Sequence, residues 1–154
     1  MSPEQRLTEL GLVLPPPPKP IGNYVPFRIA GNLLFLSGVG PRLADGTSIT
    51  GKVGATLSVE QAYEAARHCG LNLLTNMRAA VGSLDRIDVI LKILGMVNAV
   101  PDFREHPKVI NGCSDLFTEL FGDNGRAARS AVGMASLPND ISVEIEAVVL
   151  LKGS

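Results

Sequence analysis

Hydrophobic and polar positions change period several times along this chain, and each change marks an element. The clearest pattern lies in residues 126–150, RAARSAVGMASLPNDISVEIEAVVL. There Ile141, Val143, Ile145, Ala147 and Val149 recur at every second position, with Ser142, Glu144 and Glu146 between them. A period of two with an apolar and a polar set is the mark of a strand buried on one face. The run that begins at Arg126 also reads as extended, and Leu137-Pro138-Asn139-Asp140 reads as the turn that joins the two into a β-hairpin. Arg129 would then lie across the hairpin from the glutamates, a planar cation able to hold a carboxylate through two parallel hydrogen bonds. The same arrangement serves as an ordinary cross-strand ion pair, so pattern alone leaves both roles open.

Ahead of this segment the period alternates between two and 3.6. Tyr24-Val25-Pro26-Phe27-Arg28-Ile29 and Leu33-Leu34-Phe35-Leu36-Ser37 are extended runs joined by Ala30-Gly31-Asn32, a tight-turn signal. Gly38, Gly40 and Pro41 end the second run, and Asp45-Gly46-Thr47-Ser48 reads as a loop tip. Ser58-Val59-Glu60-Gln61 is a capping box, and Val59, Ala62, Ala66, Cys69, Leu73 and Met77 form a helical stripe that Gly82 stops. Residues 85–97 read as a strand with Ile87, Val89, Leu91 and Ile93 alternating. A second helix spans about 107–121, with Val109, Ile110, Cys113, Phe117 and Leu120 inward and Gly122 at its end. At the start, Ser2 caps a short helix with Pro3 in its first position and Gln5 reaching back, followed by the stiff spacer Leu14-Pro15-Pro16-Pro17-Pro18-Lys19-Pro20. A helix this short must dock on the body or on a neighbouring subunit.

The order is β-β-α-β-α-β-β, an α+β fold of one sheet with two helices packed on one face. Residues 1–22 form a short helix and proline-rich spacer, and 23–154 form the body. The uncovered sheet face and an apolar composition predict a closed cyclic oligomer with sites between subunits.

Charge and composition narrow the function. Lys and Arg number 14 against 15 Asp and Glu, for a net charge of -1. The basic residues form no run, so no nucleic-acid surface is expected. No apolar stretch approaches a membrane span and the N-terminus has no apolar leader core, which predicts a soluble cytoplasmic protein. Cys69 and Cys113 sit in helical stripes without metal or redox spacing and read as buried thiols. His68 and His106 lack ligand spacing, His106 reading as a helix-start residue, so no metal is expected. Gly51-Lys52-Val53-Gly54 falls short of a phosphate loop.

Gly31-Asn32-Leu33-Leu34-Phe35-Leu36-Ser37-Gly38, Ala128-Arg129-Ser130, Leu137-Pro138 and Val143-Glu144-Ile145-Glu146-Ala147, in this order and spacing, resemble the YjgF/YER057c/UK114 family. Its best-known members are the Rid (reactive intermediate deaminase) proteins; the N-terminal extension is similar to that of a separate subfamily. The resemblance implies a chorismate-mutase-like fold, a homotrimer and clefts between adjacent subunits. It implies that Arg129 binds a substrate carboxylate and that Glu144 positions or activates water. Tyr24 would line the cleft, and Ser37, Gly38, Asn111 and the backbone of Ala131 would complete its polar lining. Three positions depart from the family pattern: Val39 replaces a glutamine, Ala127 a proline and Ala131 a cysteine.

The implied reaction is hydrolysis of a 2-imino acid, or its 2-enamine tautomer, to a 2-oxo acid and ammonia. An imine carbon is already electrophilic, so one positioned water and one proton shuttle suffice, and no cofactor is expected. A trimeric protein that binds a small carboxylate without turning it over is the alternative, favoured by Val39. RNA cleavage, a third reading described for some relatives, is opposed by the balanced charge.

Overall fold

The computed structural model describes residues 1–153; the last position of the 23–154 segment lies outside the described residues. The chain runs α1 (Pro3–Glu9), β1 (Phe27–Ala30), β2 (Leu33–Val39), α2 (Val59–Val81), β3 (Ile87–Asn98), α3 (His106–Phe121), β4 (Ala128–Met134) and β5 (Val143–Leu151). One five-stranded sheet, ordered β1-β2-β5-β3-β4, carries α2 and α3 on one face. This is the expected α+β class, with the strand and helix order read from the sequence.

The final hairpin is the element the structure overturns. β4 and β5 do not pair; β3 lies between them, antiparallel to β5 and parallel to β4. Parallel pairing needs a crossover, and α3 supplies it. The segment read as a hairpin turn passes instead over the end of β3. Asn139 and Asp140 there both have φ of 56°, and Asn98 at the end of β3 donates through Nδ2 to Asp140 Oδ1 (3.1 Å). Lys52, in the segment rejected as a phosphate loop, donates to Asn98 Oδ1 (2.8 Å) and to the Ala135 carbonyl. Turn residues alone cannot distinguish a two-strand hairpin from a turn that spans a third strand.

Smaller differences have local causes. β1 starts at Phe27, three residues into the apolar run: the Pro26 carbonyl still accepts the Ser37 amide (3.0 Å), but proline has no N–H to return a bond to β2. In β3 the strict alternation fails: Ile87, Ile90 and Ile93 are buried while Leu91 is exposed. Register shifts between Ile87 and Val89, and between Ile90 and Lys92, reset the phase.

The core lies between the sheet and the helices. Leu34, Leu36, Ile93, Val97, Val143 and Ile145 face Leu73, Met77, Ile110 and Phe117, all buried. Glycines let the layers approach. Gly95 of β3 lies under α3, where a Cβ would sit 2.5 Å from Ile110 Cδ1. At Gly112 the backbone of α3 meets that of α2, and a Cβ would fall within the shell of the Tyr63 carbonyl oxygen. Tyr63 Oη donates to Asp115 (2.7 Å), which together with burial pushes the phenol up to about 12.

The N-terminal segment is tied to the body. Both halves of the Ser2–Gln5 capping box form. Glu4 accepts from Arg78 and from the Leu84 amide, and the Arg78 guanidinium holds its carboxyl below the ordinary value. The spacer is pinned by Thr75 Oγ1 to the Pro15 carbonyl (2.8 Å) and by Arg42 to that of Pro16. The uncovered sheet face bears Phe35, Leu94, Met96, Val132 and Val148, with Phe35 43% and Val132 38% exposed.

Gly112→Ala should destabilise the fold by about 3 kcal/mol or more, because backbone rather than a flexible side chain occupies the space. Chemical denaturation checks this; a loss below about 1 kcal/mol would mean that the helices separate freely.

Candidate functional site

Two groups of polar residues stand apart on the sheet. The first is built around β2 and β5. Between the pairs Leu36–Ala147 and Val39–Ile145, two residues of β2, Ser37 and Gly38, lie opposite one of β5, Glu146, and form a bulge. The bulge sets Gly38 against Glu144, whose Oε2 would lie 2.6 Å from a Cβ at that position. Glu144 is half-buried, and Glu146 two residues on is exposed. Burial first, and the Glu146 charge second, raise the Glu144 carboxyl above its ordinary value.

Glu144, Gly38, Ser37 and Tyr24 line one cavity of about 570 Å³. Tyr24 is half-exposed at its mouth, and Ser37 Oγ donates to the Val25 carbonyl (2.6 Å), leaving its lone pairs to accept. Val39, Pro138, Asn139 and Ile141 add to the wall, so the turn after β4 closes the cavity rather than joining a hairpin. Past the bulge the cavity reaches α2 at Asn72 and Asn76, under residues 18–21 of the spacer.

The second group lies on β4 and α3. Arg129 is half-buried, with Nη1 donating to Ser114 Oγ (3.0 Å) and Nη2 to the Pro107 carbonyl (3.4 Å). It forms no ion pair among the described residues. Asn111 is four residues after Pro107 and three before Ser114, hence on the same stripe of α3. Ala131 follows two residues after Arg129 on the same sheet face. Gly133 is next on that face, where a Cβ would sit 2.6 Å from Nε2 of His106, the first residue of α3.

Arg129 therefore does not lie across a hairpin from Glu144. It pairs in register with Ile93, which pairs with Ala147, whereas Glu144 pairs with Met96. The two side chains stand on opposite faces, two strand spacings (roughly 10 Å) apart across the sheet and three residues (roughly 10 Å) apart along it. An intrachain ion pair between them is removed as an explanation for either.

Cys69 and Cys113 are buried, which pushes both thiols up and leaves them unreactive. No group of three His, Cys, Asp or Glu residues that could hold a metal occurs among the described residues. No described helix is long and apolar enough to cross a membrane. Asn72, Asn76 and Arg42 were missed by sequence reasoning. The signal was available for the two asparagines: they stand four apart in α2, adjoining the apolar stripe at Leu73 and Met77.

The family described as YjgF/chorismate mutase-like, putative endoribonuclease, matches residues 4–146. The chain belongs to this family. It is 42% identical over 146 residues to Protein TCP17 of Trypanosoma cruzi, covering 94% of this chain and 91% of that protein. It is 28% identical over 137 residues to the 2-iminobutanoate/2-iminopropanoate deaminase of Dermatophagoides farinae, covering 88% and 91%. A crystal structure of a protein of unknown function from Agrobacterium tumefaciens superposes with a TM-score of 0.89 at 46% identity, covering 97% of this chain and 94% of that one.

Glu144→Gln should stabilise the fold near neutral pH. A carboxyl raised in the folded state opposes folding once ionised; the cost is absent below its unfolded value and complete above the folded one. Thermal melts should place the variant above wild type at pH 7 and equal to it at pH 4. The same difference at both pH values would show that Glu144 ionises without penalty.

Proposed function

We propose that the protein hydrolyses reactive 2-imino acids, or their 2-enamine tautomers, to 2-oxo acids and ammonia, as a homotrimer whose sites lie between subunits. The observation that carries this reading is the half-buried Glu144, its carboxyl weakened as an acid and set against Gly38 in a cavity large enough for a small metabolite. A carboxylate raised towards neutrality is a better base, and burial keeps it poised beside a trapped water.

The roles follow from the two groups. Arg129, its guanidinium only partly engaged by Ser114 and Pro107, would grip the substrate carboxylate, with Asn111 and the Ala131 backbone beside it. Glu144 of a neighbouring subunit would take a proton from water as the oxygen adds to the imine carbon. The imine nitrogen takes up a proton, and collapse of the carbinolamine expels ammonia and leaves the 2-oxo acid. Water is the sole co-reactant and no electrons are transferred, so the reaction requires no cofactor.

The opposite-face placement of Arg129 and Glu144 supports a shared site, since one chain cannot aim both at one small molecule. The exposed apolar sheet face supports burial against further copies. The mite deaminase, similar over most of both chains, supports the reaction class. Val39 in the cavity wall favours a second reading, a trimer that holds a small carboxylate without turnover, because it removes a polar contact on the substrate.

Release of 2-oxo acid from imines generated in situ by an amino-acid oxidase tests the proposal. Wild type should accelerate release, and Arg129→Lys should lose about 10-fold or more in kcat/KM because the planar fork is gone. Activity should fall on the acid side above the ordinary glutamate range, since Glu144 must be ionised. Binding of a 2-oxo acid without any acceleration would establish the second reading.

A further inference from the structure

The inner end of the cavity, beside α2, is unused by the chemistry above. Two cations line it, Lys19 from the spacer and Arg42 from the segment after β2, while the cavity's one acid, Glu144, belongs to the outer part. Neither cation forms an ion pair among the described residues. Neither shifts the Glu144 carboxyl, which responds to burial and to Glu146, so positive and negative charge stand at separate ends. The acid nearest to Arg42 along the chain, Asp45, accepts from the Thr47 amide (2.9 Å) and hydroxyl (2.6 Å) instead.

Arg42 is held in place by neutral groups. Its carbonyl accepts from Nδ2 of Asn72 (3.0 Å), a side chain 1% exposed on α2. Its guanidinium donates to the Pro16 carbonyl, and Thr75 pins the adjacent Pro15 (2.8 Å). That bond uses one of the guanidinium N–H groups and offsets none of its charge. Asn76, one turn after Asn72 and 2% exposed, also lines this end and makes no side-chain hydrogen bond among the described residues. Its N–H groups add neutral donors to the two charged ones. A concave end with cations and donors, and with the acid at its far side, focuses positive potential on whatever enters.

We infer that this inner end is an anion pocket for the substrate side chain, and that the preferred substrates are dicarboxylic 2-imino acids. The inference rests on the deaminase reading for the outer part of the cavity. Arg129 of one subunit would take the carboxylate beside the imine. Arg42 and Lys19 of the subunit that supplies Glu144 would take the second carboxylate, at the end of the side chain. At about 570 Å³ the cavity falls among those that hold drug-sized ligands, so a three- or four-carbon imino acid would leave this end unfilled. A carboxylate placed there accepts charge-assisted bonds from Arg42 and Lys19 and a further bond from Asn76. A hydrocarbon tail leaves the cations without a partner, and a carboxamide offers them only a neutral oxygen. Because Lys19 belongs to the N-terminal extension, the extension supplies part of the specificity as well as the roof.

The test compares imines generated in situ by suitable oxidases from aspartate, glutamate and 2-aminoadipate with two other sets. One set comes from asparagine and glutamine, similar in size but neutral, and the other from leucine and methionine, which are apolar. Wild type should favour the best of the dicarboxylic imines over both other sets by roughly 10- to 100-fold in kcat/KM. Lys19→Glu, a change at an exposed position, should cut that preference by roughly 5-fold or more, and Arg42→Met should cut it further. The wild-type ranking needs no variant to fold. Equal or better turnover of the neutral or apolar imines, or a preference that both variants leave intact, would overturn the anion pocket and leave the deaminase reading standing. If no imine is turned over, the deaminase reading fails, and calorimetry decides the pocket separately. Tighter binding of 2-oxoglutarate than of 2-oxohexanoate would support it, and equal binding would overturn it.

Discussion

β3 is the constraint on which the rest of the structure depends. Paired with β5 from Ile87 to Val97 and with β4 from Lys92 to Asn98, it separates the two strands that carry Arg129 and Glu144 and fixes their faces. Because cross-strand partners share a face, the register Arg129–Ile93–Ala147 sends the arginine towards α3. The register Val132–Met96–Glu144 sends the glutamate to the uncovered side. A shift of one residue in either pairing would reverse these assignments. A single chain thus carries two separate polar groups, one on β4 and α3 and one around the β2 bulge. In the proposed shared site, the need for a second copy would come from sheet register as much as from exposed apolar surface.

The helices, strands and caps were legible in the sequence because each is set by local signals. The Ser2–Gln5 and Ser58–Gln61 capping boxes, the glycine stops and the periods of α2, α3 and β5 all stand in the structure as read. What escaped was non-local. The segment after β4 carries the same turn residues whether the strands it joins are neighbours or lie on either side of a third. Only pairing energies summed over all of β3 choose between these. The resemblance to a family correctly gave the fold class, but the hairpin assumed beside it set Arg129 against Glu144. Of the predicted site residues, Tyr24, Ser37, Gly38 and Glu144 meet in one cavity, and Arg129, Asn111 and Ala131 gather elsewhere. Asn72 and Asn76 were hidden within a helix whose apolar stripe drew attention away from the polar residues beside it.

The N-terminal segment gains meaning from the same geometry. A seven-residue helix has little stability of its own, yet α1 is anchored through Glu4 to Arg78 and Leu84 and through Arg6 to the Glu119 carbonyl (3.1 Å). These contacts fix one end of the proline spacer, and Arg42 and Thr75 fix its middle. The spacer covers the part of the cavity that reaches α2 as a roof. An extension that reads as a linker in the sequence forms part of the wall of the proposed site.

The central claim is that one working site takes Arg129 from one subunit and Glu144 from another. Mixing separately inactive Arg129→Ala and Glu144→Gln proteins under conditions that exchange subunits, and measuring 2-oxo acid release, tests it most directly. Random reassembly into trimers should restore about a quarter of the wild-type rate, since three in four trimers are mixed and each carries one intact pair among its three sites. No recovery, with subunit exchange confirmed by mass spectrometry of the mixed trimers and with active wild type in the same assay, would contradict a site shared between subunits.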